Sequence, residues 1–244
     1  ARFALMHVAD CPASVKEVAK APGELPLVHQ WILSRTAAVI DEVRQGLDEY
    51  RFNDVASAIY QFIWREFCDW YLEWIKADLF SSDMRAKGQA QGVLLVVLET
   101  ILKLIHPITP FVSEEIWSVL PGERPLLATT AFPEKRDDWK NPEAVEKMEL
   151  LMAVITGIRN IRSEAEVHPS AKIEAFILCG DIKKAAFLTA SAAAISDMTR
   201  LSAFAVGEKI DKPDDAATYI CNDLEIFVPL KGLVDVAGEL AKLK

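Results

Sequence analysis

Cysteine and histidine are both scarce in this 244-residue sequence, four of each. Cys11, Cys68, Cys179 and Cys221 form no CxxC pair, and His7, His29, His106 and His168 are equally scattered. No zinc-site spacing and no disulfide framework can be built from them. Isolated cysteines of this kind act as small core residues and suit a reducing, cytoplasmic location. Basic residues are also in deficit, with 27 Lys and Arg against 36 Asp and Glu and a net charge of −9. A broad phosphate-binding field needs clustered cations, so any RNA contact must be local and shape-selective. Long apolar runs are missing: the longest, Val93–Leu98, falls far short of the roughly 20 residues of a membrane span. The chain starts at Ala1 with no secretory pattern, as expected after methionine removal or in a piece excised from a longer protein. No Gly-rich phosphate loop, GxSxG elbow or HExxH pair occurs. No catalytic residue, metal site or cofactor is therefore expected within these residues.

What is present is the makings of a folded core, with 51% of residues hydrophobic and 26% charged. The spacing predicts helices over about Pro26–Glu49, Asn53–Phe80 and Met84–Ile105. In the second, Ile59, Tyr60, Ile63, Trp64, Phe67, Trp70, Tyr71, Trp74 and Ile75 cover well over a third of the wheel, which demands neighbours on more than one side. A fourth helix starts at Thr109-Pro110, with Thr109 able to cap and Glu114 and Glu115 placed to favour the helix dipole, and Pro121-Gly122 ends it. Short links make such helices antiparallel neighbours. Pro121, Pro125, Pro133 and Pro142 punctuate a connecting segment. A helix from Pro142 to about Glu166 follows. After it come a strand (Lys172–Leu178), a helix (about Ile182–Ala194) and strand-like runs at Ala203–Val206, Thr218–Cys221 and Leu224–Val228. The expected fold is mainly α: an antiparallel helical bundle (1–120), a connecting arm (121–141) and a small α+β subdomain (142–232). A further helical pattern (233–244) opens at the end of the chain and is cut short.

Three groups of residues invite a functional interpretation, each beside a plainer one. The aromatic side chains between Phe52 and Phe80 could stack on unpaired bases or simply fill the core. Gln61, Arg65, Asp69 and Lys76 share a polar arc; Arg65 and Lys76 could meet phosphates, or the arc could be a solvated face with an Arg65–Asp69 ion pair. Arg159 and Arg162, three residues apart on a helix, could hold RNA backbone or balance Glu164 and Glu166. His106, before a proline at a helix end, reads as a capping or packing residue.

Three segments in order resemble the class I tRNA synthetases of the branched aliphatic amino acids. His29-Gln30-Trp31-Ile32-Leu33-Ser34-Arg35 is similar to the "WILSR" signature that opens their anticodon-binding bundle. Phe52-Asn53-Asp54 through Phe67-Cys68-Asp69-Trp70-Tyr71-Leu72-Glu73-Trp74-Ile75-Lys76 resembles their second bundle helix. His106-Pro107-Ile108-Thr109-Pro110-Phe111, then Glu114-Glu115-Ile116-Trp117, resembles their "HP-TPF–EE-W" element. Within that family, Gly157-Ile158-Arg159-Asn160-Ile161-Arg162-Ser163-Glu164 and the stretch from Val228-Pro229-Leu230 to Glu239-Leu240-Ala241-Lys242-Leu243 look like the valyl branch. On that resemblance, residues 233–244 begin a coiled-coil arm. Glu166-Val167-His168-Pro169 departs from the more proline-rich or small-residue run expected there. The "HIGH" and "KMSKS" elements and an editing domain are absent from these residues. The resemblance implies a tRNA-binding region that recognises the anticodon stem-loop of tRNA-Val. Its parent would attach valine using ATP with Mg, and its partners would be the catalytic and editing domains of the same chain. RNA-facing candidates are Arg35, Gln61, Phe62, Arg65 and Lys76, with Arg159 and Arg162. The isoleucyl and leucyl branches, and a helical protein-interaction module, are the alternatives.

Overall fold

The computed structural model describes residues 2–9, 11–213 and 215–230, so the expected coiled-coil start at 233–244 lies outside the described residues. The chain divides into two compact units, residues 1–148 and 149–244.

The first unit is helical. It comprises α1 (Arg2–Val8), 3-10 turns at Ala13–Lys20 and Pro22–Glu24, α2 (Leu27–Asp48) and α3 (Phe52–Gln61), which runs on as a π-helical stretch over Phe62–Tyr71. Then come the short α4 (Leu72–Trp74) and α5 (Lys76–Leu79), α6 (Met84–Ile105), α7 (Pro110–Ser118), and single turns at Leu127–Thr129 and Asp137–Trp139. The third predicted helix is found at its expected bounds. The second is not one α-helix, because its aromatic middle hydrogen-bonds in the wider i→i+5 pattern and the chain bends at Ile75.

α6 is the core of this unit and packs against α1, α2, α5, α7 and the Ala13–Lys20 turn. Over 22 residues, with mean hydropathy 1.5 in its most apolar window, it is long and apolar enough to cross a membrane. The contiguous run Val93–Leu98 understated this, because Ile101, Leu102, Leu104 and Ile105 continue the apolar character past Glu99 and Thr100. That window is 61% buried inside the fold, as expected of a helix whose solvent is its neighbours. Asp83 caps α6, accepting from the backbone N–H of Arg85 (2.8 Å) and Ala86. Gly92 is required by a close approach, since a Cβ there would collide with the carbonyl oxygen of Val15 and lie 2.6 Å from Val18 Cγ2.

α7 departs from expectation at its N-terminus. Thr109 makes no side-chain cap, and its hydroxyl is buried without a partner among the described residues. Ser113 turns its hydroxyl onto the Thr109 carbonyl (2.8 Å) and pairs with His106 Nδ1 (2.8 Å). Glu114 lies beyond the first turn and accepts instead from the backbone N–H of Leu127 (2.7 Å) and Ala128, capping the Leu127–Thr129 turn. Glu115 is likewise past the first turn.

The 121–141 segment packs on the same unit. Arg124 lies 4.6 Å from the Trp117 ring and donates to Glu99 (2.7 Å), which also receives Lys16 (3.0 Å). Trp139 is buried and donates to the Ala19 carbonyl. Asn141 bonds Gln30 and Ser34 and caps α8 (Pro142–Glu164).

The second unit contains the later turns of α8, then β1 (Ile173–Cys179), α9 (Ile182–Ala190), α10 (Ala192–Thr199), β2 (Leu201–Gly207), β3 (Ala216–Cys221) and β4 (Leu224–Pro229). The sheet order is β2-β1-β4-β3, parallel between β1 and β2 and antiparallel elsewhere. α9 and α10 form the crossover that a parallel pair requires. β1 buries Ile173, Ala175, Ile177 and Cys179 by strict alternation. α8 lies tight on the sheet at Gly157, where a Cβ would come within 2.7 Å of Ile226 and Tyr219 side-chain atoms.

Candidate nucleic-acid interface

The sharp turn between α2 and α3 builds one side of a groove. The Arg51 N–H bonds the Gly46 carbonyl (2.7 Å) and the Tyr50 N–H bonds Leu47, with Tyr50 at φ 58°. This is a helix-ending motif whose left-handed position usually falls to glycine. A tyrosine there stores strain, and its ring projects into solvent, 80% exposed, at 85° to the Phe52 ring with centroids 6.3 Å apart. Two turns along, Tyr60 and Trp64 are both more than half exposed, with centroids 6.2 Å apart.

Between α2 and the α3–π helix runs a groove of about 270 Å³ lined by Arg35, Arg51, Asp54, Ser57, Gln61 and Glu66, among others. Arg35 binds Glu66 with both arms of its fork (2.7 and 2.8 Å). Arg51 bridges Asp54 (2.8 Å) and Glu49 (2.7 Å); those hydrogen bonds hold its guanidinium further on the charged side and draw the Glu49 carboxyl below its usual range. With Glu42 also on its wall, the groove carries two cations against three carboxylates. It is no phosphate trap. It offers hydrogen-bonding groups of both kinds, and the exposed rings of Tyr50, Phe52, Tyr60 and Trp64 lie on the same helices outside its lining; unpaired bases use both kinds of contact.

The structure sorts the sequence candidates. Gln61 is exposed on the groove. Phe62 is only 2% exposed and forms part of the groove floor, so it offers no ring face to a base. Arg65 is exposed, and the expected Arg65–Asp69 ion pair does not form among the described residues. The i→i+5 winding there abolishes the i,i+4 stacking that such a pair needs. Lys76 lies past the bend on α5, paired with Glu73 and 5.7 Å from the Phe3 ring, away from the groove lining. Arg159 and Arg162 belong to the second unit and donate to the backbone carbonyls of Met198 and Thr199.

Tyr50, Arg51 and Ser57 were missed, and Tyr60 and Trp64 were not separated from the core aromatics. Tyr50 could have been found as a non-glycine at a helix stop. The phase of Trp64 was hidden by the change of winding, while Tyr60, still on α3, was grouped with the apolar stripe by its residue type.

Around this groove the buried histidine of the opening signature has a structural role. His29 is fully buried, its Nδ1 is 3.1 Å from the Tyr71 hydroxyl, and its Nε2 has no partner among the described residues. Desolvation pulls its pKa down from 6.5 to about 4 and pushes the Tyr71 phenol well up. Among the described residues no group of three or more His, Cys, Asp or Glu side chains could hold a metal ion.

The first unit is thus a helical bundle with a groove between α2 and the α3–π helix and exposed rings near it. The family model described as the anticodon-binding domain of tRNA ligase matches residues 29–177, and the chain belongs to that family. Its relatives include valine–tRNA ligases. That of Desulfotalea psychrophila is 63% identical over 243 residues, that of Geobacter sulfurreducens 41% over 244, and that of Bacillus cereus 34% over 243. Each alignment covers 99–100% of this chain and 27% of the relative, so the chain spans about a quarter of the length of these proteins.

Proposed function

We propose that this chain is the anticodon-binding region of a valine–tRNA ligase and that its first unit holds the anticodon stem-loop of tRNA-Val. The observation that carries this is two pairs of exposed rings, Tyr50 with Phe52 and Tyr60 with Trp64, on the same helix pair as a groove that supplies Gln61, Ser57 and two forked arginines. Stacking on such rings contributes about 1–3 kcal/mol per base and tolerates any base, whereas hydrogen bonds at the groove discriminate. The acid excess there opposes loosely held RNA, so only a loop that fills the groove gains enough to stay.

The bound region orients a substrate whose reacting end is elsewhere: remote binding energy lowers a barrier at another site. The whole protein would use ATP with Mg to attach valine, its catalytic and editing domains being further partners of this chain, in the cytoplasm. Exposed Ile108, Phe111 and Val112 on and before α7 support packing against such domains.

Titrating the chain with tRNA-Val and with the same tRNA altered only in its anticodon tests this, at low and near-physiological salt. Tighter binding of the unaltered tRNA at both salts is expected, with Tyr60→Ala and Trp64→Ala each weakening it. Equal binding of both tRNAs that vanishes with salt would refute recognition by this groove.

A further inference from the structure

The second unit holds a cluster that no role described so far uses. Arg159, Arg162 and Arg200 line a cavity of about 410 Å³ with Ser163, Val167, Pro169, Met198 and Thr199. Among the described residues no aspartate or glutamate is in that lining, in a chain whose net charge is −9.

The local chain is built to bring these cations together. Arg162 sits on α8 and fans its guanidinium over four backbone carbonyls, those of Thr199 (3.3 Å), His168 (3.2 Å), Pro169 (3.4 Å) and Ala171 (3.0 Å). Arg159, one helical turn earlier, reaches the Met198 carbonyl (3.2 Å). Arg200 is at φ 57°, the left-handed stop of α10, and reaches the Pro169 carbonyl (2.8 Å). All the partners of Arg162 and Arg200 are neutral carbonyl oxygens. Burial and the nearby Arg200 charge push the Arg162 guanidinium towards its neutral form, an opposition that an anion would relieve.

Ordinary capping of the α10 C-terminus accounts for part of this arrangement, but not for its charge. A helix end presents roughly half an elementary negative charge, whereas two full positive charges, those of Arg162 and Arg200, meet neutral carbonyls here. The Arg200 side chain donates to the Pro169 carbonyl, and only its backbone N–H reaches a carbonyl of α10, that of Ser196. Fixed guanidinium forks beside a serine hydroxyl are the chemistry that binds a phosphate.

We propose that the Arg159–Arg162–Arg200 cavity is a seat for a backbone phosphate of the bound RNA, separate from the base-reading groove of the first unit. This rests on the tRNA-binding role proposed above. It supplies what the groove lacks, sequence-independent attraction to phosphate. Contacts of that kind position an RNA without reading it.

The test uses Arg200→Gln, which leaves the Arg162 fan intact, with Arg159→Gln as a second variant and thermal melting as a control for folding. Affinity for tRNA-Val is measured across a salt series. Each variant is expected to bind about fivefold more weakly at low salt, equally for normal and altered anticodons. The slope of log affinity against log salt should flatten by about 0.7–0.9 for each phosphate no longer held. Tyr60→Ala should instead weaken binding of both tRNAs and keep its salt slope. Unchanged affinity and slope in folded Arg200→Gln and Arg159→Gln, with Tyr60→Ala still weakened, would overturn the phosphate seat and leave the groove standing. Failure of the unaltered chain to bind tRNA at any salt would overturn both. Inorganic phosphate is the remaining arm: saturable binding abolished by Arg200→Gln, with no effect on tRNA, would assign the cavity to a free anion and overturn the RNA proposal.

Discussion

His29 makes the stability of the first unit depend on pH in a way that can be calculated. Its imidazole is buried, with Nε2 unpartnered among the described residues and Nδ1 on the Tyr71 hydroxyl. The folded pKa is about 4 against an ordinary 6.5. The unfolded chain therefore takes the proton first as pH falls. Stability is complete above about pH 6.5, declines through the interval, and the loss is complete below about pH 4. At 1.36 kcal/mol per pH unit, the full displacement is worth about 3.4 kcal/mol, of which about 2 kcal/mol is lost between pH 7 and pH 5. Carboxylates titrate mostly below that window. His7 shifts in the same direction through burial and Lys87, so the comparison is with His29→Gln, which leaves His7 in place and can still bond Tyr71. All six tryptophans lie within residues 1–148, so urea unfolding followed by tryptophan fluorescence reports this unit alone. The unaltered chain should lose about 2 kcal/mol more than His29→Gln between pH 7 and pH 5. Equal losses in the two proteins would refute the assignment of a buried, neutral His29.

The strain at Tyr50 gives a second expectation: Tyr50→Gly should stabilise the first unit by about 1 kcal/mol, since a non-glycine in the left-handed region costs about 1–2 kcal/mol, while weakening tRNA binding. Urea midpoints and tRNA titration read the two effects, and a loss of stability would show that the turn is not strained. Gly92→Ala should destabilise by about 1–2 kcal/mol, because collision with Val15 outweighs the gain of about 1 kcal/mol in helix propensity; the same fluorescence-monitored unfolding checks this. Glu99→Gln leaves Arg124 and Lys16 without their shared carboxylate in a site where Arg124 and Glu99 side chains are only 10% and 13% exposed. A cost of about 3 kcal/mol is expected, measured in the same assay.

The helices around the core were legible because burial demands a 3.6-residue period and little else can satisfy it. Met84–Ile105 shows this best: its apolar stripe gave its bounds, and the structure then showed Asp83 capping it. The order of the α+β elements after Lys172 was legible, since β1 alternates, but the helix read at about Ile182–Ala194 is two, Ile182–Ala190 and Ala192–Thr199. The resemblance rested on side chains that proved mostly structural. His29, Trp31, Ile32 and Leu33 are buried, and Arg35 is bound to Glu66.

Other features needed the assembled fold. The winding of residues 62–71 depends on how nine crowded large side chains settle against α2, and no linear period encodes it. That packing left Phe62 facing inward and Trp64 facing solvent. Glu114 found its donors 13 residues away on a turn that its own helix end does not specify. Strand order likewise follows from long-range pairing, with β1 central between β2 and β4. Arg200, indistinct in the sequence, joined Arg159 and Arg162 because a left-handed stop at the end of α10 turned it back towards Pro169. Local pattern determined which residues are apolar, helical or extended. The tertiary structure decided which remaining polar and aromatic groups meet, because those meetings join residues that no local period links.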